Sequence, residues 1–261
     1  MREMKIFYNK IGFFTLLFRE IHRFSRVSIQ TILAPLISNI LYLGIFSGIL
    51  STRSIAFEGF NYLQFLVPGL ATMGTIFAAF QNPSFSLISQ KYMNTIQDLN
   101  SYPISDLEKT TAFILGGTVR GTLIGMLTYI ATLPFVKSGI YSPAFFFLSL
   151  MLTAFVFSSI GFISGLALDG FEKMNFVLSI VITPLSYLGG VFFEVSKLSG
   201  ILSAMRFVNP IYPLVNLTRY AYLGVYEDNI YVHGAMAAVF IIAGFATSLI
   251  VFKRGTGIKI L

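Results

Sequence analysis

Arg120 is the charged residue with the most unusual surroundings, because it lies inside the apolar run 110–136. A charge within a membrane span costs roughly 2.5 to 3.5 kcal/mol on insertion scales, so such arginines usually face protein or a water-filled cavity. Gly117, Gly121 and Gly125 repeat every four residues beside it and form a face for close helix contact. Two interpretations stay open. Either Arg120 lines a translocation path or contacts a lipid phosphate, or it lies near the cytoplasmic boundary and extends its side chain outward.

Other residues suited to catalysis or metal binding are scarce. The sequence has no cysteine, and His22 and His233 lie far apart without companions at ligand spacing. It has no G-x-x-x-x-G-K-[ST] phosphate loop, no H-E-x-x-H and no G-x-S-x-G elbow. The long apolar runs contain no Asp or Glu with which a proton relay could be built. We therefore predict no catalytic residue, metal site or cofactor in this chain, and any energy for work must enter from elsewhere.

Composition indicates that these residues belong to a membrane protein. The 261 residues are 55% hydrophobic and 11% charged, with a mean hydropathy of +0.78, which is too apolar for a soluble globule. Apolar runs of about twenty residues are typical of spanning helices rather than barrel strands. We predict an all-α integral membrane protein with a single domain over residues 1–261. The net charge of +7 lies largely in flanking segments, as expected at an anionic membrane face, and does not indicate nucleic acid.

Six membrane spans are predicted. They cover residues 28–50, 62–81, 110–136, 142–168, 174–193 and 234–252. With the N-terminus inside, cytoplasmic segments carry twelve Lys or Arg and outer loops carry five. This asymmetry favours both termini in the cytoplasm, and it places the polar segment 82–108 there as well.

Two shorter segments are predicted to lie at the membrane surface or to enter it partway. Residues 10–26 form an amphipathic helix with one apolar side, which is too short to span and suits the cytoplasmic interface. Its apolar side consists of Ile11, Phe14, Phe18 and Ile21. Residues 194–233 hold two short apolar pieces broken by Asn209-Pro210. We predict that these pieces are re-entrant or interfacial helices that pack on protein.

The polar segment 82–108 carries the pattern of a short amphipathic helix. Its apolar residues recur at spacings of three and four: Phe85, Ile88, Tyr92, Ile96 and Leu99. Pro103 should end this helix, and Ser105 to Glu108 match a capping box that opens the next one. The periodicity alone leaves a docking helix and a solvated loop helix without a partner equally open.

The chain resembles the membrane subunits of type-2 ATP-binding-cassette exporters, the ABC type-2 permeases. The likeness is closest to the bacterial subgroup for drug, nodulation-oligosaccharide and polysaccharide export, and it covers nearly the whole chain. The residues that carry it are Lys91, Thr95-Ile96-Gln97-Asp98-Leu99, Pro103 and Ser105, then Leu188 to Phe193, Asn209-Pro210-Ile211 and Arg219-Tyr220. Residues 197–200 depart from the family pattern because they lack a proline often found there.

The resemblance implies that the polar segment is the coupling helix that docks on a separate ATPase. The residues implied in coupling are Lys91, Tyr92, Thr95, Ile96, Asp98 and Leu99. It also implies that short helices before the last span close the outer end of the pathway. The residues implied there are Gly189, Gly190, Phe192, Phe193, Asn209 and Pro210. Two permeases and two ATPases would form the working unit, and ATP and Mg²⁺ would be bound by the ATPase.

The function expected from the resemblance is export of an amphipathic, lipid-linked, glycan or drug substrate across a bacterial inner membrane. One alternative is a secondary transporter or channel that needs no ATPase, and another is a membrane-embedded enzyme. Neither the substrate nor the face of the coupling helix that meets the ATPase follows from the sequence. The candidate faces are Tyr92 with Ile96, and Asn94 with Asp98.

Overall fold

The computed structural model describes residues 9–25, 33–50, 59–136, 139–197, 199–200 and 204–257. Over these residues the protein is an all-helical fold, which confirms the predicted class. The predicted helix end at Arg26, the start of the first span at 28–32 and the start of the short apolar piece at 201–203 lie outside the described residues.

Ten α-helices are described along the chain. They are α1 (Lys10–Ser25), α2 (Ala34–Leu50), α3 (Tyr62–Tyr92), α4 (Asp98–Ser101), α5 (Asp106–Thr132), α6 (Pro143–Ala167), α7 (Phe171–Val177), α8 (Thr183–Leu188), α9 (Ile211–Leu223) and α10 (Ile230–Lys253). A π-helical turn, Leu178–Ile182, joins α7 to α8 without a break.

Four of the described helices are long and apolar enough to cross a membrane: α3, α5, α6 and α10. They correspond to the second, third, fourth and sixth predicted spans. Helix α2 has 17 described residues, equivalent to about 25 Å at 1.5 Å per residue. The continuous α7–α8 unit is of similar length, so the total of six spans stays a prediction.

The centre of the fold is a close packing of α3, α5 and α6. A Cβ added at Gly121 would lie 2.7 Å from the Ala79 Cβ of α3, and one at Gly125 would overlap Thr75. On α6, a Cβ at Gly161 would overlap the Phe80 carbonyl. Glycine is required at these positions because the backbones approach each other directly. The small-residue face predicted on α5 therefore packs against α3.

Helix α3 extends well beyond the end predicted for the second span. It continues through Pro83 to Tyr92, so residues 82–92 belong to the long helix rather than to a separate polar loop. The polar residues at this point are buried by protein: Ser84 Oγ donates to the Phe80 and Gly161 carbonyls at 2.7 and 2.8 Å. The prediction ended the second span where polar residues begin. In the structure these polar residues stay inside the helix bundle, because other protein groups accept their hydrogen bonds.

The amphipathic helix predicted through Leu99 is interrupted. Asn94 adopts a left-handed conformation with φ of 55°, which asparagine tolerates better than most residues. The chain reverses there and forms only the short α4 before Pro103. The capping box is confirmed: Glu108 N donates to Ser105 Oγ at 3.2 Å, and Ser105 N donates to the Glu108 carboxylate. Helix α5 therefore begins four residues earlier than the predicted span and ends at Thr132.

The predicted fifth span ends earlier than expected, because α8 stops at Leu188 and Gly189 follows. The π-helical turn precedes Pro184, whose ring lacks an N–H and crowds the carbonyl four residues back, so a locally widened helix accommodates it. Thr183 Oγ1 donates to the Leu178 carbonyl across this turn at 2.8 Å.

Residues 194–233 contain two 3₁₀ turns, Val195–Lys197 and Met205–Phe207, followed by α9. Helix α9 is buried along almost its whole length against α3, α6 and α10. This agrees with the expectation that such a short helix must pack on protein. It ends at Gly224, which adopts the left-handed conformation that favours glycine.

Helix α1 runs side by side with the first turns of α5, in the same direction. Asn9 N donates to Glu108 Oε1 at 3.0 Å near the start of both helices. Further along, a Cβ at Gly116 would lie 2.8 Å from the Glu20 Cβ. The predicted apolar side is exposed at Ile11, Phe14 and Phe18, while Phe13, Leu16 and Phe24 face the protein. The interfacial position of α1 in a membrane stays a prediction.

Candidate functional site

The exposed part of the reversal between α3 and α4 forms a compact surface at one end of the helix bundle. Tyr92 is 77% exposed and Met93 is 70% exposed. Asn94, Thr95 and Asp98 are exposed beside them. We call these five residues the coupling surface. It combines two large, mostly exposed side chains with polar groups, which suits docking of another protein.

Beneath the coupling surface, two of the residues predicted for coupling point into the protein. Ile96 is 6% exposed and Leu99 is fully buried. They belong to an apolar cluster with Phe13 and Leu16 of α1 and Phe113 of α5. Ile96 and Leu99 therefore support the coupling surface rather than form it. Of the two candidate faces, the one with Asn94 and Asp98 is exposed, and Tyr92 joins it.

Lys91 is also turned away from the coupling surface. Its Nζ donates to the carbonyls of Leu166 at 2.5 Å and Leu168 at 3.0 Å, and lies 3.6 Å from the Asp169 carboxylate. These groups form the end of α6 and the connection to α7. A lysine that satisfies the last carbonyls of a helix stabilises that helix end. Lys91 thus fastens the end of α3 to the end of α6.

An aromatic contact reinforces this connection. The ring of Phe171, at the start of α7, lies 4.9 Å from Phe85 and 6.1 Å from Tyr92 of α3, measured between ring centroids. The coupling surface is therefore held from two sides, by α1 and α5 through Ile96 and Leu99, and by α6 and α7 through Lys91 and Phe171.

A buried polar cluster lies between α1, α3 and α5; we call it the inner arginine site. It consists of Glu20, Arg23, Asn82, Ser86 and Arg120. Arg120 is 7% exposed, and its Nε has no hydrogen-bond partner among the described residues. The interpretation that Arg120 faces protein agrees with this burial.

Glu20 is the acidic residue of the inner arginine site. Its carboxylate accepts from Arg23 at 3.1 Å, from Arg19 at 3.2 Å and from Ser86 Oγ at 3.1 Å. Arg23 also donates to the backbone and side-chain oxygens of Asn82, at 2.8 and 3.2 Å. These bonds connect α1 to α3 where both pass α5.

The residues predicted for the outer gate meet at the turn that follows α8. Gly190 has a φ of 85°, and Tyr62 of α3 donates its hydroxyl proton to the Phe192 carbonyl at 2.8 Å. Asn209 Nδ2 donates to the Leu185 carbonyl at 2.7 Å, and its Oδ1 accepts from Ile211 N at 3.0 Å. Pro210 precedes the first residue of α9, and Phe193 is 36% exposed at the edge of the turn. The structure thus brings these six predicted residues into one region.

Arg219 fixes this outer region, and its role was not predicted from the sequence. It is fully buried, donates to Glu227 Oε1 at 2.8 Å and to the Gly190 carbonyl at 2.6 Å, and lies 3.9 Å above the Phe65 ring. The signal in the sequence was a lone arginine in an apolar helix followed eight residues later by a glutamate. The acceptor at Gly190 could not be found that way, because it comes from a distant turn.

His233 lies next to this region and is buried. Its ring lies 5.3 Å from Tyr212 in an edge-to-face contact. Tyr212 in turn donates its hydroxyl proton to Asp228 at 2.7 Å. Burial together with the neighbouring carboxylates raises the pKa of the Tyr212 phenol, so this proton stays in place at neutral pH.

Four long apolar helices packed together are typical of a membrane protein. Comparison with known proteins identifies the family. Residues 11–223 match the model of the ABC-2 type transporter, and the chain belongs to this family. It is a membrane-spanning permease subunit of an ABC transporter, a transport component rather than an enzyme.

Several relatives align with most of this chain. The chain is 33% identical over 241 residues to the inner membrane transport permease YadH of Escherichia coli (strain K12), covering 92% of this chain and 94% of that protein. It is 26% identical over 231 residues to Nodulation protein J of Bradyrhizobium diazoefficiens, covering 85% and 84%. With Nodulation protein J of Neorhizobium galegae the identity is 25% over 204 residues, or 75% of each chain. These likenesses and the apolar helices indicate an inner membrane, multi-pass protein.

Proposed function

We propose that this protein is the membrane half of an ATP-driven exporter. Two copies would enclose a path for an amphipathic, lipid-linked, glycan or drug substrate, and a separate ATPase would bind both ATP and Mg²⁺. Family membership implies association with an ABC ATPase subunit. The similarity to an inner membrane transport permease and to two nodulation proteins supports transport across a bacterial inner membrane.

The coupling surface is the observation that carries this proposal. A surface that receives force must be exposed toward the partner and rigid beneath. Tyr92 and Met93 provide exposed area, Asp98 provides charge, and Ile96 and Leu99 anchor the segment in the core. This combination of exposed area and anchoring supports the docking alternative.

The bonds of Lys91 to the end of α6 support coupling through α3 and α6 together. Because Lys91 binds the last carbonyls of α6, a push on the coupling surface acts on α3 and α6 together. Glycine contacts without intervening side chains, such as Gly161 against Phe80, join the same two helices in the bundle. ATP-driven closure of the partner ATPases would therefore move these helices as one body.

The decisive experiment is to reverse one charge on the coupling surface in the reconstituted complex with its ATPase. Asp98→Lys should reduce ATPase docking and the transport-coupled ATP hydrolysis at least about tenfold, because like charge or a lost pair at a docking site costs several kcal/mol. Asp98 is exposed, so membrane insertion and the elution profile of the permease alone should not change.

Lys253→Glu serves as the control, because it reverses an exposed charge at the end of α10, outside the coupling surface. Its complex should keep normal coupling. If Asp98→Lys and Tyr92→Ala both retain normal ATPase binding and coupled hydrolysis, the surface is not the docking site.

A further inference from the structure

The inner arginine site has more buried positive charge than its own carboxylate can balance. Arg120 is 93% buried, and its Nε lacks a hydrogen-bond partner among the described residues. Asn82 is fully buried, and its Nδ2 is likewise unpaired there. Unpaired donors at this depth are costly, and they indicate a missing acceptor.

These donors belong to one site. Asn82 Nδ2 lies 3.6 Å from the position of a Cβ at Gly116, and Arg120 follows Gly116 by one turn on the same face of α5. Arg23 binds Asn82, and its like charge acts on Arg120. The three residues therefore surround one region between α1, α3 and α5.

Glu20 cannot serve as the missing acceptor. Its two oxygens already accept from Arg19, Arg23 and Ser86. The nearest other carboxylate along α5, Glu108, is held in the capping box about 18 Å away along the helix, at 1.5 Å per residue. Among the described residues, the carboxylates Asp169 and Glu227 are paired with other cations. No carboxylate among the described residues pairs with Arg120, so an anion from outside them would balance its charge.

The chemistry of the site favours a phosphate. Guanidinium groups match phosphate oxygens through paired N–H donors, and an amide N–H can supply a further bond. The exposed apolar residues around the site favour a phosphate that belongs to an amphiphile with apolar chains. Val119 and Leu123, which flank Arg120 on α5, are 43% and 41% exposed, and Phe18 of α1 is 64% exposed. The side chain of Arg23 is 29% exposed, which keeps the site accessible from the surroundings.

We propose that the inner arginine site binds the phosphate of an anionic amphiphile, with Arg120, Arg23 and Asn82 Nδ2 as donors and the exposed apolar residues of α1 and α5 beside its acyl chains. This binding requires neither an ATPase nor transport. It can therefore fail while the proposed export function holds, and the reverse is equally true.

The test is a binding titration of the purified full-length permease by native mass spectrometry, with phosphatidylglycerol, phosphatidylcholine or inorganic phosphate as the probe. The wild-type protein should bind its first phosphatidylglycerol more tightly than phosphatidylcholine. Arg120→Gln should weaken that first binding at least about tenfold, since one charge-assisted contact contributes about that much. Lys173→Gln removes an exposed charge elsewhere and should bind as the wild type does.

Asn82→Asp keeps every positive charge but supplies a carboxylate inside the site, so it should weaken the first phosphatidylglycerol as strongly as Arg120→Gln. This variant also decides the matter if Arg120→Gln does not fold. Displacement of the lipid by inorganic phosphate at equal concentration would support the site and assign it to free phosphate instead of a lipid. The proposal is overturned if Asn82→Asp binds phosphatidylglycerol like the wild type, or if Lys173→Gln loses binding to the same extent.

Discussion

Two buried arginines occupy opposite parts of this molecule, and their surroundings differ in one respect. Arg219 in α9 has a carboxylate, a backbone carbonyl and an aromatic ring of its own. Arg120 in α5 is nearly as deeply buried, yet the carboxylate of its site, Glu20, already accepts from Arg19, Arg23 and Ser86. The first arrangement has its balancing carboxylate within the chain and holds the outer region together. The second remains incomplete until an anion is supplied, so burial alone does not tell a structural arginine from a binding one.

The largest effect is expected from removing the carboxylate that balances Arg219. Glu227→Gln leaves a fully buried charge without its ion pair, which costs roughly 3 to 5 kcal/mol when one partner of a buried pair is lost. The folded yield and the thermal unfolding midpoint in detergent should both fall sharply. The double replacement Arg219→Met with Glu227→Leu should restore much of the loss. Equal damage in the single and double variants would mean that the charges do not stabilise each other.

At the inner arginine site, the corresponding carboxylate change should have a smaller effect. Glu20→Gln removes the negative charge that balances Arg23 but leaves Arg23 bound to Asn82, so we expect a loss of about 1 to 3 kcal/mol. Because Glu20 connects α1 to α3, the loss should be greatest at α1. Hydrogen exchange should show faster exchange in residues 10–25 than in α6. Uniform acceleration across both segments would contradict this role.

Replacing each arginine by leucine should change the stability of the protein by very different amounts in the two regions. Arg219→Leu should destabilise the protein strongly, because it removes the arginine of a buried ion pair and leaves the Glu227 charge without it. Arg120→Leu should leave stability unchanged or raise it by about 1 kcal/mol in the lipid-free protein, since no internal partner loses its bond. The midpoints of both variants in the same detergent provide the measurement. If Arg120→Leu unfolds the protein as readily as Arg219→Leu, Arg120 has an internal partner after all.

The smallest expected effect is a slight increase in stability. Asn82→Asp places a carboxylate next to Arg23 and turns the inner site into an arrangement like that around Arg219. A charge-assisted hydrogen bond exceeds a neutral one by about 1 kcal/mol, so the unfolding midpoint should rise slightly in the absence of lipid. Asn82→Leu is the matched control and should not raise it. A lower midpoint for the aspartate variant would show that the site has no excess positive charge.

The sequence predicted those features that depend on neighbouring residues along the chain. Long apolar runs located α3, α5, α6 and α10, and four consecutive residues were enough to identify the capping box at Ser105. The continuation of α3 through Pro83 was missed, because polar residues that end a span and polar residues buried by other helices look alike in sequence. The residues predicted for coupling included some that are exposed and some that are buried. Ile96 and Leu99 match the family pattern, but their burial against α1 could not be inferred from periodicity.

Both arginines show the same limit. Arg120 was recognisable because it interrupts an apolar run, yet its neighbours come from α1 and α3 and depend on how the helices pack. Arg219 was noted in the sequence only as part of the family resemblance. Its structural role was missed because its acceptor, the Gly190 carbonyl, lies 29 residues away in sequence. Intramembrane charges can thus be located from the sequence, whereas whether each is balanced depends on tertiary contacts.

Helix α3 connects the coupling surface with the outer region. Its 31 residues form an unbroken rod of about 46 Å, at 1.5 Å per residue. At one end lies Tyr92 of the coupling surface, and at the other Tyr62 and Phe65 contact the outer turn and Arg219. Near the middle, Ala79 and Phe80 are pressed against glycines of α5 and α6. A displacement imposed at Tyr92 would therefore reach Tyr62 through α3 and would carry α6 with it at the contact between Phe80 and Gly161.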